Sequence, residues 1–332
     1  MPSSRRLERE AQRNIEVMWL TGRLVPDHKT IANFRRDNGP AIQAACRQFV
    51  VLCRDLQLFA GATVAVDGSK FKAVNNRDRN YTVAKVAKRL EQVDASIARY
   101  LAALDRADRE VNDVPEARTQ RIGEKIAALR RQMAFLREMQ EQVEAADDGQ
   151  VSLTDPDARS MATSGRGTGI VGYNVQIAVD PEHHLVVAHE VVNEGHDRTQ
   201  LVPMGGRAKQ AIGAEEVTVL ADRGYYSGDE VLACEGTGIL PAMPRADTSG
   251  RAKKGLFVRA DFVYDAAADH YVCPAGAVLT KSNARSDRHG DIDHYRNLDA
   301  CHGCAMRARC TTEKFKRFKR WKHEAVLEAM QR

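Results

Sequence analysis

The sequence predicts an α/β fold, in which a mixed sheet flanked by helices is interrupted by a helical hairpin. Three observations predict it. Two short runs rich in β-branched and apolar residues, 63–66 and 217–221, read as buried strands, and each ends in an aspartate, Asp67 and Asp222. Between them, over 83–146, apolar residues step by four and three in a heptad-like pattern, the mark of paired helices. From 170 to 245, strand-like alternation gives way to helix-length segments and returns to short apolar runs.

Residues 1–60 read as helical. Ile15, Met18, Trp19 and Gly22 share one helical face, and Ile42, Cys46, Phe49, Val50, Cys53 and Leu56 repeat at helical spacing. Pro26-Asp27 and Asn38-Gly39-Pro40 supply the breaks. Strand one, at 63–67, is expected to end in a turn at Asp67-Gly68. The hairpin occupies 83–149, with Val86, Leu90, Val93, Ile97, Leu101 and Leu104 facing Ile122, Ile126, Leu129, Met133, Leu136 and Val143 across a break at 112–115. The glycine-rich loop 164–169 precedes a strand rather than opening a helix, so it is not a phosphate-cradling loop. Residues 61–82 and 150–250 form the core, with strands at 173–179 and 185–191 joined through a turn at 180–184 that holds His183 and His184. Helices around 198–211 and 227–236 flank the strand ending in Asp222, and 239–243 is a last short strand. Residues 251–332 carry a cysteine knuckle and a basic segment.

A carboxylate at the end of a buried strand needs a cation, a donor or a proton. Two brought side by side repel and raise each other's pKa unless they share a proton or a metal. Oxygen ligands of this kind suit Mg²⁺ or Mn²⁺, and a metal clamp on phosphate oxygens is the usual apparatus of in-line phosphoryl transfer. Either aspartate alone reads better as a turn-former than as a ligand. The pair, taken with its surroundings, favours chemistry.

Those surroundings are Asp67-Gly68-Ser69-Lys70-Phe71-Lys72-Ala73, Gly172-Tyr173-Asn174-Val175-Gln176, Gly195-His196-Asp197 and Ala221-Asp222-Arg223-Gly224-Tyr225. Together they resemble the motif set of bacterial insertion-sequence DDE transposases. The stretch 19–27 with 30–35 resembles the end of that family's N-terminal helical domain. The resemblance implies an RNase H-like core, and the predicted order strand, strand, strand, helix, strand, helix, strand agrees with it. It implies that Asp67 and Asp222, with a downstream glutamate, hold two Mg²⁺ (or Mn²⁺) ions about 4 Å apart for DNA strand cleavage and strand transfer. It raises Lys70 and Arg223 as DNA contacts. In such proteins the glutamate follows a cysteine-bearing segment, whereas this sequence stops at Arg332 and starts within the helical domain. The expectation is therefore a fragment truncated at both ends and catalytically incomplete; Glu324 and Glu328 do not sit in the family's glutamate motif. His196-Asp197 reads evenly as a site pair or as a cap on the next helix.

Cys273, Cys301, Cys304 and Cys310 give C-x27-C-x2-C-x5-C, with a Cys301-His302-Gly303-Cys304 knuckle of the kind used by tetrahedral Zn²⁺. The alternatives are free thiols or a relic site. If zinc binds, four closed ligands make it structural. Residues 307–323 carry eight Lys or Arg against Glu313 alone, so the rest of a chain of net charge +5 is slightly acidic. Lys316, Arg317, Lys319 and Arg320, interleaved with Phe315, Phe318 and Trp321, suit nucleic acid; equally, the aromatics spaced by three suit a helix packed on the core. No apolar run approaches 18 residues and no secretory leader is visible, so a membrane span or exported disulfide framework is not expected. The expected setting is cytoplasmic and nucleoid-associated, with DNA as partner and a homo-oligomer assembled on it. Two other classes stand beside the recombinase: a DNA-binding, non-catalytic remnant, and a metal-dependent nuclease with a cellular role.

Overall fold

The structure is a computed structural model that describes residues 3–59, 61–74, 77–109, 116–161, 169–245, 250–282 and 292–331. The break expected at 112–115 and most of the loop 164–169 lie outside the described residues.

Four helices come first: α1 Ser4–Arg13, α2 Ile15–Leu20, α3 His28–Asp37 and α4 Gly39–Asp55. Asn14 and Asp27 cap α2 and α3 with side-chain oxygens on backbone N–H groups, and Pro40 opens α4. Among the described residues nothing covers the apolar face expected at Ile15 and Trp19, and both are about four-fifths exposed. Helical spacing marks a face; only a neighbouring element buries it.

Strand β1, Thr63–Lys72, then runs into β2, Asn80–Thr82, and into the long helices α5, Val83–Arg109, and α6, Glu116–Ala145. These two pack on each other as the heptad pattern requires, with Val86, Val93, Leu136, Met139 and Val143 buried between them. Strand β3, Gln150–Ser152, pairs antiparallel with β2 and clasps the base of the helical pair.

The central sheet adds β4 Arg159–Ser160, β5 Val171–Val179, β6 Val186–Val192, β7 Val217–Ala221 and β8 Ile239–Ala242, with α7 Leu201–Ile212 and α8 Gly228–Ala233 between strands. Its order is β4-β5-β1-β7-β8 with β6 also on β5, antiparallel on the β5 side of β1 and parallel from β1 to β8. Strand alternation sends Val64, Val66, Val217 and Val219 to one face, where α7 covers them with Leu201, Met204 and Ala208, all of them buried. Gly205 lets the helix approach, because a Cβ there would meet Ile239 and Val219 at 3.0–3.2 Å. The opposite face carries Leu220 and Leu240, exposed by 39% and 48%.

The turn expected at Asp67-Gly68 does not form. β5 pairs with β1 step by step from Ala65↔Val179 to Lys72↔Gly172, so the strand passes straight through both residues. The last segment also differs from expectation. Strands β9 Val263–Asp265, β10 His270–Val272, β11 Val278–Ser282, β12 Ile292–Arg296 and β13 Phe318–Trp321 form an antiparallel sheet, with α9 Leu298–His302 and α10 Arg307–Cys310 before β13 and α11 Glu324–Met330 after it. Phe318 is thus on a strand rather than a helix. Pairing with β12 and burial against Phe262 and Tyr271 outweigh the spacing by three.

Leu201→Ala should cost about 2–5 kcal/mol in urea unfolding, the range for a buried leucine under a helix. Leu220→Ala, on the opposite face, should cost less than about 1 kcal/mol. Equal losses would mean that both faces are covered.

Candidate active site

Asp67 and Asp222 are brought together by the parallel pairing of β1 with β7, in which Val66 stands opposite Ala221. Each aspartate is one step beyond that pair, and alternation from buried Val66 and Val219 turns both to the face away from α7. Both are exposed. Asp67 accepts the N–H of Gly68 at 2.8 Å on Oδ1, and Asp222 accepts that of Gly224 at 2.7 Å on Oδ1. The expected turn after Asp222 is present as a 3-10 turn, Arg223–Tyr225. Neither carboxylate forms an ion pair with a described residue.

Behind the pair, on the α7 side, lies a buried polar cluster that the sequence signalled only in part. Asp197 neither caps α7 nor faces solvent. Its Oδ1 accepts from Lys70 Nζ at 2.7 Å, Asn174 Nδ2 at 2.8 Å and Gln176 Nε2 at 2.7 Å. Burial works against its charge, yet these donors prevail and hold the carboxyl below the usual aspartate range. The Tyr225 hydroxyl donates to Gln176 Oε1. Burial first, then the charges of Asp197, Asp67 and Asp222, push that phenol far above its ordinary value, so it stays neutral. Tyr225 is therefore a core residue and Lys70 an inward-held cation, while Arg223 is exposed. His196 makes no contact that gives it a role here.

Glu324 is buried and paired with Arg245 and Arg259, the latter at 2.8 Å. Glu328 takes a two-pronged bond from Arg320 at 2.6 and 3.2 Å and is held below the usual glutamate range by that bond. Arg320 is itself buried, stacked over Tyr264 and bonded to Tyr271, which accounts for its place in the sheet without nucleic acid. Lys316 sits over the Phe262 and Phe318 rings. Arg317 and Lys319 are on the surface.

Cys273, Cys301, Cys304 and Cys310 line one apolar cavity of about 30 Å³ between the β10–β11 turn, α9 and α10. All are free thiols. Burial raises the Cys310 thiol, while burial and Arg251 depress the Lys316 ammonium beside it. Among the described residues, no group of three or more His, Cys, Asp or Glu stands in metal-holding geometry, at the thiols or at the aspartates.

A model described as a transposase DDE domain matches residues 140–326, and one described as a transposase domain matches residues 1–37. The chain therefore belongs to the DDE transposase family, whose role is DNA transposition. No curated protein and no solved structure matches it. No helix among the described residues is long and apolar enough to cross a membrane.

Because folding depresses the Asp197 pKa, its contribution to stability is complete above the unfolded value of about 3.9 and is lost as pH falls through the folded value. The stability gap between wild type and Asp197→Asn, measured by urea unfolding, should hold steady above about pH 4 and close below it. A gap that widens in acid would mean that Asp197 is protonated in the fold.

Proposed function

We propose that the chain is the DNA-handling and partial catalytic unit of a DDE transposase, acting by metal-assisted phosphoryl transfer on an RNase H-like sheet. The observation that carries this reading is the register Val66↔Ala221, which sets two exposed carboxylates side by side, Asp67 within β1 and Asp222 just past the end of β7. The donor set fits a hard divalent cation: each aspartate spends Oδ1 on a backbone N–H, and among the described residues its other oxygen is unspent. Magnesium or manganese bound there supplies Lewis acidity and neutralises charge on a phosphodiester, in one- or two-metal form. Asp67 and Asp222 hold the cation. Arg223, exposed in the turn after β7, meets the DNA backbone beside it. Positioning and charge neutralisation supply most of the rate in such transfers, so missing ligands are felt directly. Glu324 and Glu328 are committed to arginines and do not complete the set. The reading thus includes weak metal binding and little cleavage by these 332 residues alone, and the alternative of a DNA-binding, non-catalytic remnant remains its limiting case.

The thiol cavity supports a second assignment, a structural zinc held by Cys273, Cys301, Cys304 and Cys310. The thiols share one small apolar cavity lined also by the cations Lys316 and Arg307, with Arg251 bonded to the Cys310 carbonyl, and thiolates are the matching counter-charge for these cations. Arg317, Lys319 and Arg223 are the basic residues offered to DNA, as subunits assemble on it.

Purified chain should bind duplex DNA with an affinity that falls steeply between 50 and 200 mM salt, by about tenfold or more. Asp67→Asn and Asp222→Asn should retain that binding but abolish Mg²⁺-dependent nicking, however slow. Strong nicking that survives either substitution would remove the catalytic assignment. Metal analysis should find about one zinc per chain, lost in Cys301→Ser with Cys304→Ser. Zinc-free protein of unchanged stability would return the cysteines to free thiols.

A further inference from the structure

We propose that Gln176 and Asp197 are positioning residues that fix the spacing of β1 and the end of β7 at the two aspartates, Gln176 as the bridge between them and Asp197 as the anchor. This rests on the proposed reading of Asp67 and Asp222 as a metal-binding pair. Lys70 lies three residues past Asp67 on β1, and Tyr225 three residues past Asp222 after β7. The side chain of Gln176, on β5, spans the two: its Nε2 donates to Asp197, which holds Lys70, and its Oε1 accepts from Tyr225. One fully buried amide thereby ties β1 and the end of β7 together through side chains, in addition to the ladder between them.

The cluster is a poor device for stability. A half-buried carboxylate and the fully buried Gln176 amide spend much of their hydrogen bonding on offsetting their own desolvation, and apolar replacements of such groups are often neutral or better. The Asn174 amide oxygen is also buried with no hydrogen-bond partner, a loss of about 1–3 kcal/mol. What such a cluster does supply is geometry. Donors on one oxygen of Asp197 come from β1 and β5, so the carboxylate has a single seat.

The chain next to Asp67 is shaped around that seat. A Cβ on Gly68 would fall within 3.0 Å of Asp197 Oδ1, Gln176 Nε2 and Asn174 Oδ1. Since β1 runs straight through Gly68, this glycine is required by the cluster and not by a turn. Lys70 has its ammonium on Asp197 and a side chain only 15% exposed, so its role becomes that of an anchor, with DNA contact left to the surface cations. Ligand placement within about 0.5 Å separates a working site from a loose one, and the partners that orient ligands are worth about 10–100-fold in metal affinity.

The test is Mn²⁺ binding to the purified 332-residue chain, read from the free-ion EPR signal, so no turnover is needed. Gln176→Met keeps side-chain size and removes its two bonds, and Asp197→Asn keeps the shape but removes the charge that holds the Lys70 ammonium; each should weaken Mn²⁺ binding about tenfold. Val217→Ala, in the core at the far end of β7, should lower the unfolding midpoint and leave Mn²⁺ affinity unchanged, which separates positioning from general loosening. Tyr225→Phe deletes one hydroxyl and serves if Gln176→Met does not fold; it should weaken binding by severalfold. Combined with Gln176→Met, its effect should be less than additive. If Asp67→Asn abolishes Mn²⁺ binding while Gln176→Met, Asp197→Asn and Tyr225→Phe bind like wild type, the positioning role is overturned and the metal pair stands. If Asp67→Asn itself leaves binding unchanged, the metal pair fails and the positioning role falls with it.

Discussion

The parallel pairing of β1 with β7 is the constraint on which the rest depends. In a parallel ladder both strands run the same way, so the residues that follow Val66 and Ala221 leave the pair side by side, Asp67 within β1 and Asp222 just past β7. Strand alternation then decides their face. Val64, Val66, Val217 and Val219 must go under α7, so Asp67 and Asp222 are sent to the other side. The core thus sets the orientation of the carboxylates without any contact between them. A one-residue slip in β1 would bury Asp67 and expose Val66, which makes the register costly to lose.

Two kinds of interaction meet at that edge. Beneath α7 the sheet is apolar, with fully burying a valine or leucine worth about 1.5–3 kcal/mol. Beyond Val66 it becomes polar: Gln176 and Asn174 on β5 share that face, and Asp197 reaches them from the segment before α7. The same face that buries Val64 and Val66 continues as Gly68 and Lys70. Stability is built in one half of β1 and geometry in the other. The antiparallel sheet β9–β13 is organised differently, around packed aromatics and the Arg320–Glu328 pair, and it draws the basic segment partly inward.

Much of the central sheet was legible in the sequence because its strands are β-branched runs bounded by turn residues, and its helices have clear apolar faces. The heptad steps of α5 and α6 were legible for the same reason. Asp67 and Asp222 stood out as acids at the ends of apolar runs. The role of Gly68 did not, because an Asp-Gly step looks like a turn in one dimension, while the atoms that demand a glycine come from Asn174, Gln176 and Asp197, about 106 to 129 residues away. Asp197 was visible only as half of a His-Asp pair that fits a helix cap equally well. The strands β9–β13 were hidden by their shortness, three to five residues each, and by Phe315, Phe318 and Trp321, whose spacing mimics a helix. The exposed faces of Ile15 and Trp19 carry helical periodicity that none of the described residues covers.

The measurement that bears most directly on this account is anomalous diffraction from crystals of the chain soaked in Mn²⁺. The account predicts a single strong peak bridging the carboxylates of Asp67 and Asp222, on the face of the sheet opposite α7, with Asp197 still turned toward Lys70. A peak elsewhere, or carboxylates pointing to opposite faces of the sheet, would contradict it.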